Sequence, residues 1–70
     1  MIQALQDRNY VVRNRATRAL GRIGAKDAVP ALIQALKDEN KDVRVNAVQA
    51  LMQIGTPGAL KAVEEYQSRQ

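Results

Sequence analysis

Apolar residues recur along this chain with the spacing of amphipathic helices. Val29, Leu32, Ile33 and Leu36 follow the i, i+3, i+4, i+7 pattern that places side chains on one helical face. No segment shows the two-residue alternation typical of a strand. The same spacing predicts a buried stripe on each of two longer helices. The first stripe consists of Val12, Ala16, Ala19, Leu20 and Ile23, and the second of Val43, Ala47, Ala50, Leu51 and Ile54.

Capping residues mark the helix boundaries. Gly24 and Gly55 each follow an apolar stripe, at the position where a left-handed residue ends a helix, so we assign both a structural role. Four residues with short polar side chains are N-cap candidates, namely Asn9, Asp27, Asn40 and Thr56. Together these signals predict about five helices. Their expected bounds are residues 1–7, 10–23, 28–38, 41–54 and 58–68.

The sequence repeats itself with a period of 31 residues. Alignment of residues 1–31 with residues 32–62 needs no gap and gives 15 identical pairs among the 31. The paired alanines at positions 16/47 and 19/50 are small enough for neighbouring helices to pack closely. Stacked repeats of this size are typical of solenoids. We therefore predict one all-α domain over 1–70, with repeats at 1–31 and 32–62 and a partial third at 63–70.

A family motif lies within the repeat. LIQALKDENKDVRVNAVQALMQIG, with its echo MIQALQDRNYVVRNRATRALGRIG, resembles the short HEAT-like repeat of the phycobilisome (PBS) lyase type. The resemblance implies a short α-solenoid, a superhelix of antiparallel helix pairs. The first helix of each pair would lie on the convex side and the second on the concave, partner-binding side. The resemblance also implies hydrogen bonds between turns and neighbouring repeats from four residues, Asp7, Arg13, Asp38 and Arg44.

Composition narrows the range of functions. The chain of 70 residues has no His and no Cys, so the usual general base, thiolate nucleophile and commonest metal ligands are absent. We therefore expect no catalytic residue, no cofactor and no metal site, and a protein that is not an enzyme. No apolar run reaches the length of a membrane span, and no secretory signal is recognisable, so the expected location is cytoplasmic.

Positive charge is concentrated in the first repeat. Residues 1–31 hold six basic and two acidic residues, whereas residues 32–70 hold five of each, so the whole net charge of +4 lies in the first part. Arg15, Arg18 and Arg22 share one helix face at i, i+3, i+7 spacing. This strip could meet an acidic protein or phosphates, or it could be an ordinary solvated face.

Nine residues on the polar faces of the second helices are candidates for partner binding. Within this set Val45 and Met52 have two open interpretations, as contact residues or as residues packed against a helix outside the chain. The full set is Asn14, Arg15, Arg18, Arg22, Val45, Asn46, Gln49, Met52 and Gln53.

These observations favour a non-catalytic protein-interaction scaffold that binds another protein, with an acidic surface as one possibility. One alternative is binding to a nucleic-acid backbone through the arginine strip, although the scarcity of aromatic residues opposes base stacking. A second alternative, from the resemblance alone, is a fragment or relative of a bilin lyase subunit. We expect Ile2, Leu5, Val11 and Val12 to be exposed at one end. Two interpretations of the chain ends remain open: a fragment of a longer array, or an end covered by self-association.

Overall fold

The computed structural model describes the backbone of residues 2–69 and the side chains of residues 4–69. Within that part of the chain there is no strand, and no helix is both long and apolar enough to cross a membrane. The helices are α1 (Tyr10–Ile23), α2 (Val29–Ala35), α3 (Lys41–Ile54) and α4 (Pro57–Ser68), with 3₁₀ helices at Ile2–Gln6 and Lys26–Ala28. The predicted fold, a short all-α solenoid, is confirmed.

Helices α1 and α3 form the main helix–helix interface. Both are second helices of the predicted repeats, and they lie side by side. Helix α2 packs against α3, and α4 packs against α3 and α2. The first 3₁₀ helix packs against α1 and α2. This order, with one second helix beside the next, exposes one polar side of the α1–α3 pair to solvent.

Three of the four predicted N-caps are confirmed. The Asn9 side chain accepts a hydrogen bond from the Val11 N–H at 2.8 Å, and Asn40 accepts bonds from the N–H groups of Asp42 and Val43. Thr56 accepts from the Ala59 N–H at 3.2 Å. The glycines Gly24 and Gly55 have φ values of 71° and 69°, so they end their helices in the left-handed conformation that glycine adopts without strain.

The sequence prediction is wrong in three details of the first helices. Asp27 does not cap α2, because the chain forms the 3₁₀ turn Lys26–Ala28 there and no side chain caps α2. Helix α2 ends at Ala35 rather than at residue 38. After Ala35 the chain continues with i→i+3 hydrogen bonds, one of them from the Asp38 N–H to the Ala35 carbonyl at 3.1 Å. The first helix is a 3₁₀ helix.

Residues from all four α-helices form the apolar core. Its largest fully buried side chains are those of Leu32, Leu51, Val43 and Thr17. Leu5, predicted to be exposed, is only 9% exposed because the first 3₁₀ helix packs onto α1 and α2. Ile23, predicted to be buried, is 65% exposed. The buried face of α1 is turned toward α3 relative to the predicted stripe, and it consists of Arg13, Ala16, Thr17, Leu20 and Gly21.

Candidate functional site

A glycine sets the distance between α1 and α3. A Cβ atom built on Gly21 would lie 2.7 Å from the Ala50 Cα and 2.8 Å from the Ala50 Cβ, closer than carbon atoms pack. It would also lie 2.6 Å from the Gln53 Oε1. Glycine in a helix interior costs about 1 kcal/mol relative to alanine, so its presence here has a packing reason. The two second helices therefore approach each other at the backbone of Gly21 and Ala50.

This close approach forms the floor of a polar groove between α1 and α3. The groove has a volume of about 320 Å³. Both walls consist of polar side chains, from successive turns of each helix. The lining residues are Arg18, Arg22, Asn46, Gln49, Ala50 and Gln53. Five of the nine predicted partner-binding residues are thus brought together in one groove.

The groove is positively charged and rich in hydrogen-bonding groups. Arg18 and Arg22 are exposed and make no ion pair among the described residues, and no carboxylate lines the groove. Arg22 also lies in the last turn of α1, where a cation offsets the negative end of the helix dipole. The opposite wall contributes amides, which donate and accept hydrogen bonds. This arrangement suits an acidic group flanked by peptide or amide groups.

The remaining predicted residues lie outside the groove. Asn14 is half-buried and accepts a hydrogen bond from the Asn46 side chain, so it joins the two helices. Arg15 lies beside Arg18 and Arg22 around a second hollow of about 220 Å³ on α1. Val45 and Met52 are 46% and 56% exposed but line no part of the groove. The partner-binding role of Val45 and Met52 therefore stays a prediction that the groove does not support.

An arginine–aspartate pair links the first repeat to the second. The Arg13 Nε and Nη2 donate to the two carboxylate oxygens of Asp38 at 2.8 and 3.1 Å. The Arg13 Nη1 donates to the carbonyls of Asp7 and Arg8 at 2.6 and 3.0 Å. The Asp38 side chain also accepts from the Asn40 N–H at 2.8 Å. Both side chains of the pair are about nine-tenths buried, so the guanidinium holds the turn before α1 to the end of α2.

The second repeat reproduces half of that arrangement. The Arg44 Nη1 donates to the Asp38 carbonyl at 2.6 Å, as Arg13 does to Asp7. The Nε and Nη2 of Arg44 make no hydrogen bond to any residue between 4 and 69. Asp7 accepts from the Asn9 N–H at 2.8 Å and makes no ion pair with the described residues.

The predicted stripe of α1 omits two residues that the structure places on the buried face of that helix. Gly21 lies inside α1 and is buried. Thr17 is fully buried and donates its hydroxyl proton to the Arg13 carbonyl at 2.7 Å. The repeat carries a usable signal for Gly21, because the aligned residue is Met52. When a glycine in one repeat aligns with a large residue in the other, and the rest of the two helices match, the glycine indicates a close helix contact that the other repeat lacks.

Comparison with protein families identifies the repeat. A family model for HEAT repeats matches residues 1–69. The chain belongs to the HEAT-repeat family. Comparison with curated proteins found no significant match. HEAT repeats commonly act as protein-interaction scaffolds, and the family is generally non-catalytic. In this HEAT protein the groove lies between the second helices, α1 and α3.

Proposed function

We propose that this HEAT protein is a non-catalytic, cytoplasmic scaffold that binds an acidic partner protein in the groove between α1 and α3. The observation that carries the proposal is that Arg18 and Arg22, which have no carboxylate partner among residues 4–69, line one groove with the amide side chains of α3. An acidic side chain entering the groove would receive charge-assisted hydrogen bonds from the guanidinium groups. Peptide groups next to it would bond to the amides.

Reversing charge in the groove by mutation tests this proposal. The double variant Arg18→Glu with Gln49→Glu removes one positive charge and adds two negative charges at the groove. Its matched control, Lys61→Glu with Gln34→Glu, makes the same change of charge at exposed positions on α4 and α2. Fluorescence anisotropy with a labelled decapeptide rich in Glu and Asp measures binding, and circular dichroism confirms folding of each variant.

The two double variants should give different results. We expect the groove variant to lose at least tenfold in affinity, whereas the control loses less, because the control residues only alter the long-range field. Equal losses in the two variants would show that net charge, and not the groove, governs binding. Undiminished binding by a folded groove variant would overturn the proposal.

The arginine strip also supports a second candidate function, binding to a nucleic-acid backbone. Arg15, Arg18 and Arg22 surround one hollow on α1, so three cations lie together on one helix. Three phosphate contacts would give a slope of log K against log salt of about −2.7 on duplex DNA. Anisotropy with a short duplex, at low and at physiological salt, measures this slope. Replacing all three arginines with Gln should abolish it, and absence of binding even at low salt would reject this function.

The subtype of the repeat is a separate proposal. The V-R and A-x-x-A-L-x-x-I-G elements of the motif support the phycobilisome-lyase type of HEAT-like repeat. The resemblance of the motif is the support for a bilin-lyase relative. Mixing the protein with a bilin and recording its absorbance spectrum tests that relation, and an unchanged spectrum would reject it.

A further inference from the structure

The second repeat lacks the arginine–aspartate pair within the part of the chain that the structure describes. Under the 31-residue repeat, Arg13 aligns with Arg44, and Asp38, which receives Arg13, aligns with Arg69. The residue that would supply a carboxylate to Arg44 is therefore a cation. The charge is therefore reversed at the position whose carboxylate binds Arg13 in the first repeat.

Arg69 and Asp38 make the same type of backbone hydrogen bond at the end of their helices. The Arg69 N–H donates to the Tyr66 carbonyl at 3.3 Å, as the Asp38 N–H donates to the Ala35 carbonyl at 3.1 Å. The two turns share this bond, although α4 continues to Ser68 whereas α2 ends at Ala35. Because a guanidinium has no acceptor atom, Arg69 cannot take the place of the Asp38 carboxylate beside Arg44.

Arg44 itself is already oriented. Its Nη1 is fixed by the hydrogen bond to the Asp38 carbonyl, and the side chain is half-buried. Because a guanidinium is planar, fixing one nitrogen leaves the Nε–Nη2 edge as a fork of two donors with a defined direction. In Arg13 the same edge binds both oxygens of a carboxylate. A fork with one anchored nitrogen loses less side-chain entropy on binding than a free arginine.

We propose that the Nε–Nη2 edge of Arg44 is a second interaction site, which binds an aspartate or glutamate side chain of a partner protein. Arg69, exposed at the end of α4, adds a second cation at this end of the solenoid. Val48, one turn after Arg44 on the same face of α3, lines an apolar hollow of about 240 Å³ with Val45, Tyr66 and Gln67. The partner therefore offers an acidic side chain beside an apolar one. This site is separate from the groove between α1 and α3 and does not depend on it.

An intramolecular carboxylate tests whether the fork is available. Arg69→Asp places a carboxyl group at the position equivalent to Asp38, and Arg69→Asn is the matched control without charge. We expect the Asp variant to melt about 2–5 °C above the Asn variant. The difference should disappear when Arg44 is replaced by Gln. Any difference between the Asp and Asn variants that remains in the Arg44→Gln protein measures repulsion between Asp at position 69 and Glu65. Equal melting temperatures of the Asp and Asn variants with Arg44 present would overturn the proposal.

A free carboxylate tests the occupant in the unchanged protein. N-acetylaspartate is added at constant ionic strength, with sodium chloride as the control, and the NMR signal of the Arg44 Nε–H is followed. We expect a saturable shift that falls at least threefold in the Arg69→Asp variant, whose own carboxylate occupies the fork. The proposal fails if the Arg44 signal moves no more than that of the exposed Arg8. It also fails if inorganic phosphate saturates the site at a tenfold lower concentration, because the occupant is then a phosphate group.

Discussion

The packing of Gly21 against α3 leads to a quantitative prediction for Gly21→Ala. In an open helix this change would stabilise the protein by about 1 kcal/mol through helix propensity. Here the added Cβ would lie 2.7 Å from the Ala50 Cα, a backbone atom that no rotamer change can move. Overpacking of this kind costs about 1–3 kcal/mol. Because the clashing atom belongs to the backbone, we take the upper part of that range, about 2–3 kcal/mol. After subtraction of the propensity gain, we expect a net loss of about 1–2 kcal/mol in the free energy of unfolding.

Thermal unfolding followed by circular dichroism measures this loss. A domain of this size changes its melting temperature by about 4–8 °C per kcal/mol, so Gly21→Ala should lower it by about 4–16 °C. The matched control is Gly58→Ala in the first turn of α4, because a Cβ on Gly58 would meet no atom within 4 Å. We expect the control to be neutral or slightly more stable. A melting temperature of Gly21→Ala equal to or above that of the unchanged protein would refute the close contact between α1 and α3 at Gly21.

Two further predictions concern the turns that connect the helices. Replacing Arg13 by Lys keeps the charge but loses the fork to Asp38, so the free energy of unfolding should fall by about 2 kcal/mol in urea titrations. Arg44→Lys, which gives up a single observed bond, should cost clearly less, and equal losses would refute the role of the fork. Asn40→Ala removes the N-cap of α3 and should cost about 1 kcal/mol. An unchanged midpoint for Asn40→Ala would contradict that capping role.

The sequence predicts the fold well because its local signals agree with one another. Asn9 and Asn40 begin the long helices, and Gly24 and Gly55 end them, within one residue of the predicted bounds. These caps act through hydrogen bonds to residues two or three positions away, so their effect can be read from neighbouring positions alone. The prediction fails at Asp27, where the chain takes a 3₁₀ turn.

Which side of α1 is buried could not be derived from its own composition. Ile23 belongs to the most apolar stripe of that helix, yet it is 65% exposed, whereas Thr17 is fully buried. The choice is made by α3, which packs against Gly21 because that residue lacks a side chain. Thr17 tolerates burial because its hydroxyl bonds to the carbonyl of the preceding helical turn. Helix periodicity indicates that a buried face exists, but the neighbouring helix determines which residues form it.

The differences between the two repeats carry more functional information than their identities. Identical pairs such as Leu20/Leu51 and Gly24/Gly55 maintain the helices and the core in both copies. Positions at which the two repeats differ change the charge or the size of exposed side chains, and therefore the groups that the surface can bind. Gln49 aligns with Arg18, which gives the groove one cationic wall and one amide wall.

The same reasoning applies at the end of the solenoid. Gly21 aligns with Met52, which is 56% exposed, so a helix packed over that position of α3 would meet a side chain where α1 has none. Asp38 aligns with Arg69, so among the described residues Arg44 lacks the carboxylate that Arg13 binds. A further repeat of the same type would meet a bulky side chain in place of a glycine and a cation in place of an anion. The proposed partner of the Arg44 edge would therefore bring the carboxylate that position 69 does not supply.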